Sequence, residues 1–371
     1  MMKQRNSSVE LLRIIAMLLI ISHHAIMFGV RDTNNYPLPV KIIFQDVFFA
    51  GGKVGVVIFF SISIWYLCER NITLKDAYRR VWNLEKEVIF YSLFLLVISI
   101  FAFKSSVTKR LVMSSILPTS EGLWWYVTSY VVFLMLLPFI SVGMRCLSKR
   151  QHLYLAIICL FIFGFLRLIP YVKFDMSNNV LGMFYVYILI TYLKWHCNSI
   201  SLKAILTSMF VGLIILLTYT ILFTVTKNVY GKGTGMQTYA TQDWGLSMVL
   251  IGVSLLLLFQ RMNFVSKVIN YIAASTFGVY LIHLYPTVSS WIWNDIFDLP
   301  YNYSEAVVYI AIFALSVFIV SIFIDIIRRF LFKIILNRNP GKYFDRLWDL
   351  LEAGVAKCNI TYGKNESPKT R

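Results

Sequence analysis

The sequence is short of charge, and above all of acidic residues. Only 14% of its 371 residues are charged, and 18 Asp and Glu face 35 Lys and Arg. A soluble domain usually has about 25% charged residues, so this composition excludes an ordinary soluble protein. The basic excess does not indicate a nucleic-acid partner, because a basic and aromatic binding patch needs a soluble face that this chain lacks.

Cysteine is also scarce. The five cysteines have no paired spacing, so the sequence predicts neither a disulfide framework nor a zinc site, and we expect no metal in the functional site. Internal repeats and long linkers are missing as well, which favours a single membrane unit.

Apolar residues are abundant instead. They make up 58% of the chain, the mean hydropathy is +0.69, and a membrane crossing needs about 20 apolar residues. We therefore predict an all-α, polytopic integral membrane protein with about ten transmembrane helices. The predicted spans are roughly 9–29, 47–68, 87–103, 123–144, 152–171, 180–195, 203–226, 244–260, 266–290 and 303–336. The last is too long for one straight crossing, so we expect its end to continue as a helix into water.

These spans divide the chain into two parts. Residues 1–336 are the predicted membrane-embedded domain, and residues 337–371 are a predicted cytoplasmic tail. In the tail, Phe344, Trp348, Leu351 and Val355 fall at helical spacing, which is typical of an amphipathic helix on the membrane surface or against the bundle.

The basic residues predict the orientation. If the N-terminus is inside, the inner segments, the tail and the end of the last span hold 24 of the 35 Lys and Arg residues, and short loops rich in these residues stay cytoplasmic. We therefore expect both termini in the cytoplasm, with the protein in the plasma membrane and in contact with anionic lipid.

The first span contains polar residues in the stretch "ELLRIIAMLLIISHHA", residues 10–25. Arg13 and His24 are separated by about 20° after three turns, so they share a helix face, with a rise of about 16 Å between them. Glu10 lies one turn before Arg13, at ion-pair spacing. His23 points about 100° away from His24.

A charge deep in a span costs at least ~2.5 kcal/mol on insertion scales and usually faces the protein interior. Glu10 and Arg13 have an alternative role as a snorkelling anchor of the helix end. His23 and His24 have an alternative role in hydrogen bonds to neighbouring helices. The alignment of His24 with Arg13 favours a functional role for this histidine.

The spacing of Arg13 and His24 resembles the first span of the acyltransferase-3 family, in the branch that modifies bacterial surface polysaccharides. Further stretches that resemble this family are "VGVVIFFSISIWYL" (54–67), "LWWYVTSYVVFLMLLPFIS" (123–141), "YILITYLK" (187–194) and "INYIAASTFGVYLIH" (269–283). The chain departs from the family pattern at Ile64 and Ile190, where glycines are expected, and at Asn83, where a second arginine of an Arg-x-x-Arg pair would fall.

The resemblance implies an O-acetyltransferase that takes its acyl group from cytoplasmic acetyl-CoA, as a donor substrate and not as a tightly bound cofactor. His24 would be the general base, because a neutral imidazole suits proton transfer near neutral pH. Arg13, Arg79 and Arg80 would bind the donor phosphates. The acceptor would be an extracytoplasmic glycan or a lipid-linked sugar; the oligomeric state stays open.

Other residues are predicted to lie near the depth of His24. Lys53 and Arg167 either snorkel to lipid phosphate or contact an anionic sugar or the oxyanion. The residues Trp124, Trp125 and Tyr126 form either an aromatic belt or a platform for sugar stacking. His283 is either a satisfied core histidine or a second histidine of the site.

We therefore predict a membrane O-acyltransferase, most simply an O-acetyltransferase of a cell-surface or capsular polysaccharide or its lipid-linked precursor. The alternative is a transporter or flippase for a glycan or small metabolite, with the buried His and Arg serving proton coupling or substrate binding. Interrupted helices in two related halves would indicate transport, and the sequence does not contain them.

Overall fold

The computed structural model describes residues 6–30, 37–169, 172, 180–230, 237–300, 302–335 and 341–365, and none of these forms a strand. The polar loop 231–236 and the final residues lie outside this part of the chain. The principal helices are α1 (Ser7–Gly29), α2 (Leu38–Leu67), α3 (Leu74–Ala102), α4 (Lys109–Ile116), α5 (Trp125–Cys146), α6 (Lys149–Leu168), α7 (Val180–His196), α8 (Leu202–Tyr230), α9 (Leu246–Arg261), α10 (Lys267–His283), α11 (Pro286–Ile296), α12 (Tyr303–Ile335) and α13 (Lys342–Asn365).

Six of the helices in the described residues contain a stretch long and apolar enough to cross a membrane: α1, α2, α5, α6, α8 and α12. A seventh crossing is formed if α10 and α11 count as one span, and α7 and α9 are shorter apolar helices. The fold is therefore that of a multi-pass membrane protein. The count of ten crossings and the orientation of the termini stay predictions.

Two helices begin earlier in the chain than the sequence predicts. The second helix begins at Leu38 rather than near 47, and the third begins at Leu74 rather than near 87. At the latter start, the Thr73 hydroxyl accepts a hydrogen bond from the Asp76 backbone N–H at 3.1 Å, as an N-cap does. Capping therefore starts this helix in the polar segment, well before the apolar run.

The predicted ninth span is interrupted. Helices α10 and α11 meet at an angle of 82°, with His283 as the last residue before the break and Pro286 as the first residue after it. Proline has no N–H to continue the hydrogen-bond ladder of the preceding helix. The break leaves the His283 side chain at the end of a helix, inside the bundle.

Two helices form the centre of the bundle. The apolar stretches of α1 and α2 have 50% and 61% of their residues buried, compared with 22% in α8 and 28% in α12. Hence α8 and α12 lie at the periphery with broad apolar faces available to lipid, and α1 and α2 pack on each other at the core.

Glycines allow the close approach of α1 and α2. A Cβ atom at Gly55 would lie 2.6 Å from the Ala16 carbonyl oxygen, and a Cβ atom at Gly52 would overlap the His23 side chain. Small residues at helix crossings are a common way for membrane helices to pack closely. The sequence "AGGKVG" of α2 therefore sets the position of the His23–His24 end of α1.

Helix α12 carries charged residues inside the bundle. Asp325 is fully buried and the Arg328 side chain is 8% exposed. Arg328 pairs with Glu87 at 3.1 Å and with Asp325 at 2.8 Å, and the Tyr91 hydroxyl donates to Asp325 at 2.7 Å. The side chains of Glu87, Asp325 and Arg328 thus neutralise one another between α3 and α12, and this pairing explains why charged groups are tolerated there.

The tail helix α13 lies against the first half of α3. Lys75 pairs with Asp349 at 3.3 Å, and the Tyr78 and Trp348 rings are 5.8 Å apart. Exposed ion pairs contribute little, so the aromatic contacts carry most of this attachment.

Candidate active site

A cavity of about 300 Å³ lies between α1, α2, α10, the start of α5 and the turn before α9. Apolar and aromatic side chains form most of its surface, with a few convergent polar groups, as is typical of small-molecule sites. Its lining residues are Met17, Ile20, His23, His24, Met27, Phe28, Gly52, Lys53, Val56, Phe59, Leu123, Trp124, Trp125, Tyr126, Asp243, Phe277, Tyr280 and Leu284.

The structure brings His24 together with His283, which is 259 positions away in the chain. His283 Nε2 lies 3.2 Å from His24 Nδ1, and His283 Nδ1 lies 2.7 Å from the Val279 carbonyl oxygen. His24 faces the cavity, whereas His283 is fully buried behind it. The Phe28 ring stacks on His24 at 5.6 Å.

The hydrogen bonds assign the protons of the two neutral rings. A carbonyl oxygen only accepts, so His283 Nδ1 carries a hydrogen and its Nε2 is an acceptor. His24 Nδ1 must then be the donor of the bond between the rings. The Nε2 atom of His24 is left with a free lone pair, as a general base requires.

His23 also lines the cavity, although its helix position pointed it about 100° away from His24. The two rings meet edge to face at 5.2 Å, and His23 Nδ1 donates to the Phe49 carbonyl at 2.6 Å. The cavity wraps around the end of α1, so both neighbouring rings border it. The Phe49 bond ties His23 to α2, whereas the His24 ring is tied to His283 of α10.

Lys53 forms an ion pair that the sequence did not indicate. Its Nζ atom lies 2.8 Å from Asp243 Oδ1, and both residues line the cavity. Asp243 was missed in the sequence analysis. The only available signal was its position as a lone acidic residue beside Trp244, just before a predicted span.

Arg167 lies behind the cavity surface rather than in it. Its side chain is 2% exposed, and its guanidinium donates to the Asp243 carbonyl at 2.8 Å. This contact holds the backbone that presents the Asp243 carboxylate. Neither lipid phosphate nor a sugar is needed to explain the position of Arg167.

The aromatic residues Trp124, Trp125 and Tyr126 all border the cavity. Trp124 is 2% exposed, and its indole nitrogen has no hydrogen-bond partner within the described part of the chain. A buried donor without a partner is costly, which sets this N–H apart from the paired polar groups around the cavity. The other two rings, 5.7 Å apart, offer flat apolar faces.

Arg13 lies on one side of the cavity, and it is nearer to the start of α1 than His24 is. It pairs with Glu10 at 2.6 Å, and its guanidinium lies 5.9 Å from the ring of Phe59, which lines the cavity. Arg13 therefore adjoins the cavity from the N-terminal side, while His24 borders it directly.

The structure places Arg79 and Arg80 differently. Arg79 forms an ion pair with Asp345 of α13 and lies 5.5 Å over the Phe344 ring. Arg80 is exposed. Arg79 is therefore engaged by the tail helix, whereas Arg80 lies at the surface.

A family model described as an acyltransferase domain matches residues 6–325. No curated protein matches the chain. No solved structure matches it either.

Proposed function

The chain belongs to the acyltransferase-3 family, and from this membership we propose that it transfers an acetyl group from acetyl-CoA to a hydroxyl of a cell-surface or capsular polysaccharide or its lipid-linked precursor. It is a membrane acyltransferase; the donor, the acceptor and the residue roles are the proposal. The observation that carries it is the His24 ring, which borders a cavity and is bonded on its Nδ1 side to buried His283.

In the proposed reaction His24 Nε2 takes the proton of the attacking hydroxyl. The hydroxyl oxygen forms a bond to the thioester carbon, and the carbonyl oxygen becomes an oxyanion. When the C–S bond breaks, the proton on His24 passes to the leaving thiolate and yields the CoA thiol. The reaction therefore needs only the donor, the acceptor and one histidine, which ends in the protonation state in which it began.

His283 acts as a positioning residue in this proposal. Its Nδ1–H is held by the Val279 carbonyl, so its Nε2 can only accept from His24. The bond keeps the His24 lone pair on the cavity side and accepts the Nδ1–H more strongly once His24 is an imidazolium, because charge-assisted hydrogen bonds are stronger than neutral ones.

Two residues that line the cavity carry donors for the developing oxyanion. The buried indole N–H of Trp124 has no partner in the described residues, and the Lys53 side chain is 18% exposed. Donors already in place stabilise an oxyanion without reorganisation, and removal of one such donor costs about 10²–10³ in kcat.

The donor is proposed to enter from the N-terminal side of α1. Arg13 and Arg80 would bind its phosphates, since guanidinium groups match phosphate geometry. The pantetheine arm would extend along the rise of about 16 Å between Arg13 and His24. Family membership favours acyl transfer over the transporter alternative. The proposed donor path, which begins at Arg13 and ends at a base, His24, is also what acyl transfer requires.

The test is mass analysis of the surface glycan from cells with the wild type, with His24→Ala and without the protein. We expect the acetyl mass only in the wild type, at equal membrane levels of the two proteins. Identical acetylation in all three would refute the proposal. Loss of the glycan itself, rather than of its acetyl groups, would favour the transporter.

A further inference from the structure

The Lys53–Asp243 ion pair is the feature of the cavity that the proposed reaction does not use fully. Asp243 is the only carboxylate among the described residues that line the cavity. Its Oδ1 atom meets Lys53 Nζ at 2.8 Å, and the two side chains are 20% and 18% exposed. The pair is therefore shielded from bulk water yet open to a molecule in the cavity.

The backbone around Asp243 is fixed in an unusual conformation. Trp244 has a φ of 59°, the only positive φ of a non-glycine residue in the described chain, and its ring is fully buried beside Phe60 at 5.8 Å. Arg167 holds the Asp243 carbonyl from behind. Backbone strain of this kind is found preferentially at functional sites, and here it aims one carboxylate at the cavity.

The chemistry of the pair selects its ligand. An ionised carboxylate only accepts hydrogen bonds, and an ammonium only donates them, so together they match neighbouring hydroxyl groups. Their charges cancel, and the remaining polar groups of the cavity are neutral rings. A carboxylated ligand would meet the like charge of Asp243 in a poorly solvated site, which is unfavourable.

The other surfaces fit the same ligand class. Trp125 and Tyr126 offer ring faces beside the pair, and sugar rings have apolar faces of their own. The volume of about 300 Å³ is at the lower end of small-molecule sites, roughly 300–1,000 Å³. It has room for one sugar unit at His24, not for a length of polymer.

We propose that Asp243, held by Lys53, recognises the acceptor, and that the sugar unit entering the cavity is uncharged, with hydroxyl groups that donate to Asp243 while a neighbouring hydroxyl meets His24. This inference rests on the proposed function. Lys53 thereby serves the acceptor through Asp243, instead of binding an anionic sugar.

The experiment uses the full-length protein in nanodiscs with acetyl-CoA. Neutral methyl hexosides and the corresponding methyl hexuronides are the acceptor probes, and release of the CoA thiol is measured. The wild type is expected to acylate the neutral glycosides and to reject the hexuronides. Asp243→Asn is expected to raise KM for the neutral glycosides by roughly tenfold or more, as the loss of a hydrogen bond to a charged group does, with KM for acetyl-CoA unchanged.

Asp46→Asn is the matched control. Asp46 lies on α2, as Lys53 does, and accepts a hydrogen bond from the Thr220 hydroxyl at 2.6 Å. It does not line the cavity, so the KM values of this variant should equal those of the wild type. A structural role of Asp243 would instead lower thermal stability and change both KM values together. Asp243→Glu, which keeps the carboxylate, should retain the preference for neutral acceptors.

Three results separate the outcomes. An unchanged acceptor KM in Asp243→Asn overturns the inference. Equal acylation of hexosides and hexuronides by the wild type also overturns it, and that comparison does not depend on the folding of any variant. If the wild type releases no CoA with any acceptor and matches His24→Ala, it is the proposed function that fails.

Discussion

The histidines at the end of α1 divide their tasks by their hydrogen bonds. His24 has its Nδ1 atom engaged by His283 and borders the cavity. His23 borders it too, but its Nδ1–H is bound to the Phe49 carbonyl of the neighbouring helix. Helical position predicts only that the two side chains point in different directions. Their hydrogen-bond partners distinguish the roles proposed for them.

We expect His24→Ala to reduce acetyl transfer by 10²–10⁴-fold, the usual effect of removing a positioned base, at a normal membrane level. Transfer by the wild type should also fall at acidic pH, because an imidazolium cannot accept the hydroxyl proton. The rate of CoA release in purified membranes measures both effects.

His23→Ala is the control for that variant. It should cost much less activity and should lower thermal stability instead, since it removes the bond to Phe49. If His23 were the sensitive position, the assignment of the base from the shared face with Arg13 would be wrong.

Arg13→Ala should raise KM for acetyl-CoA while leaving KM for the acceptor unchanged, because Arg13 is proposed to bind the donor phosphates and does not line the cavity. Arg13→Lys should restore only part of the affinity, since lysine lacks the bidentate fork. Initial rates over a range of donor concentrations measure this difference.

Glu10→Gln controls for the broken ion pair, as it removes the partner of Arg13 but keeps the guanidinium. It should not weaken donor binding. Equal acetyl-CoA binding by the wild type and Arg13→Ala would remove Arg13 from the donor site.

Among the helices, the pairing of α1 and α2 governs the site. Its glycines let the two backbones approach until His23 lies against Gly52, and the same contact carries Lys53 towards His24 and the cavity. The break between α10 and α11 contributes the third element, because it ends α10 at His283. The site depends on these three helices meeting at one depth.

Gly52→Ala should therefore disrupt both packing and activity. The added methyl group would overlap the His23 side chain and crowd the Leu19 carbonyl at 3.0 Å, and overpacking of this kind costs about 1–3 kcal/mol. Thermal unfolding in detergent and the transfer rate should both decline.

Gly143→Ala is the matched substitution, because nothing lies within 4 Å of a Cβ atom there. It should be neutral or slightly stabilising, as alanine is favoured over glycine in helices. A Gly52→Ala protein as stable and active as Gly143→Ala would show that the close approach of α1 and α2 is not required.

For the whole molecule, the orientation predicted from the basic residues decides which substrate meets which end of the cavity. With both termini inside, Arg13 is near the cytoplasmic source of acetyl-CoA and His24 is in the outer half of the membrane. The tail helix α13, which engages Arg79, would then lie on the donor side.

Cysteine labelling tests this orientation in a variant lacking the five native cysteines. A cysteine at exposed Asp295, near the end of α11, should react with an impermeant thiol reagent added to intact cells. A cysteine at exposed Arg150 should react only after lysis. The opposite pattern would reverse the sides assigned to donor and acceptor.

Much of the fold was predictable because it depends on local properties. Runs of about 20 apolar residues predict helices in a membrane, and the helical period alone places Arg13 and His24 on one face. Helix starts in polar segments, as at Thr73, were not predictable from apolar runs because they depend on capping. The buried Asp325 and Arg328 were not identified from the sequence for a related reason: a charge is tolerated inside the bundle only beside a partner such as Glu87, and such partners come from other helices.

The active site itself was predictable only in part. His24, Lys53 and the aromatic residues at 124–126 were identified as candidates from their types and depths, and the structure brings them to one cavity. The contacts of His24 with His283 and of Lys53 with Asp243 join residues that are 259 and 190 positions apart. Such contacts depend on which helices pack together and in what register, and neither hydropathy nor helical period specifies that. The sequence therefore determined the class of protein and the polar face of its first helix, and helix packing determined which partners complete the site.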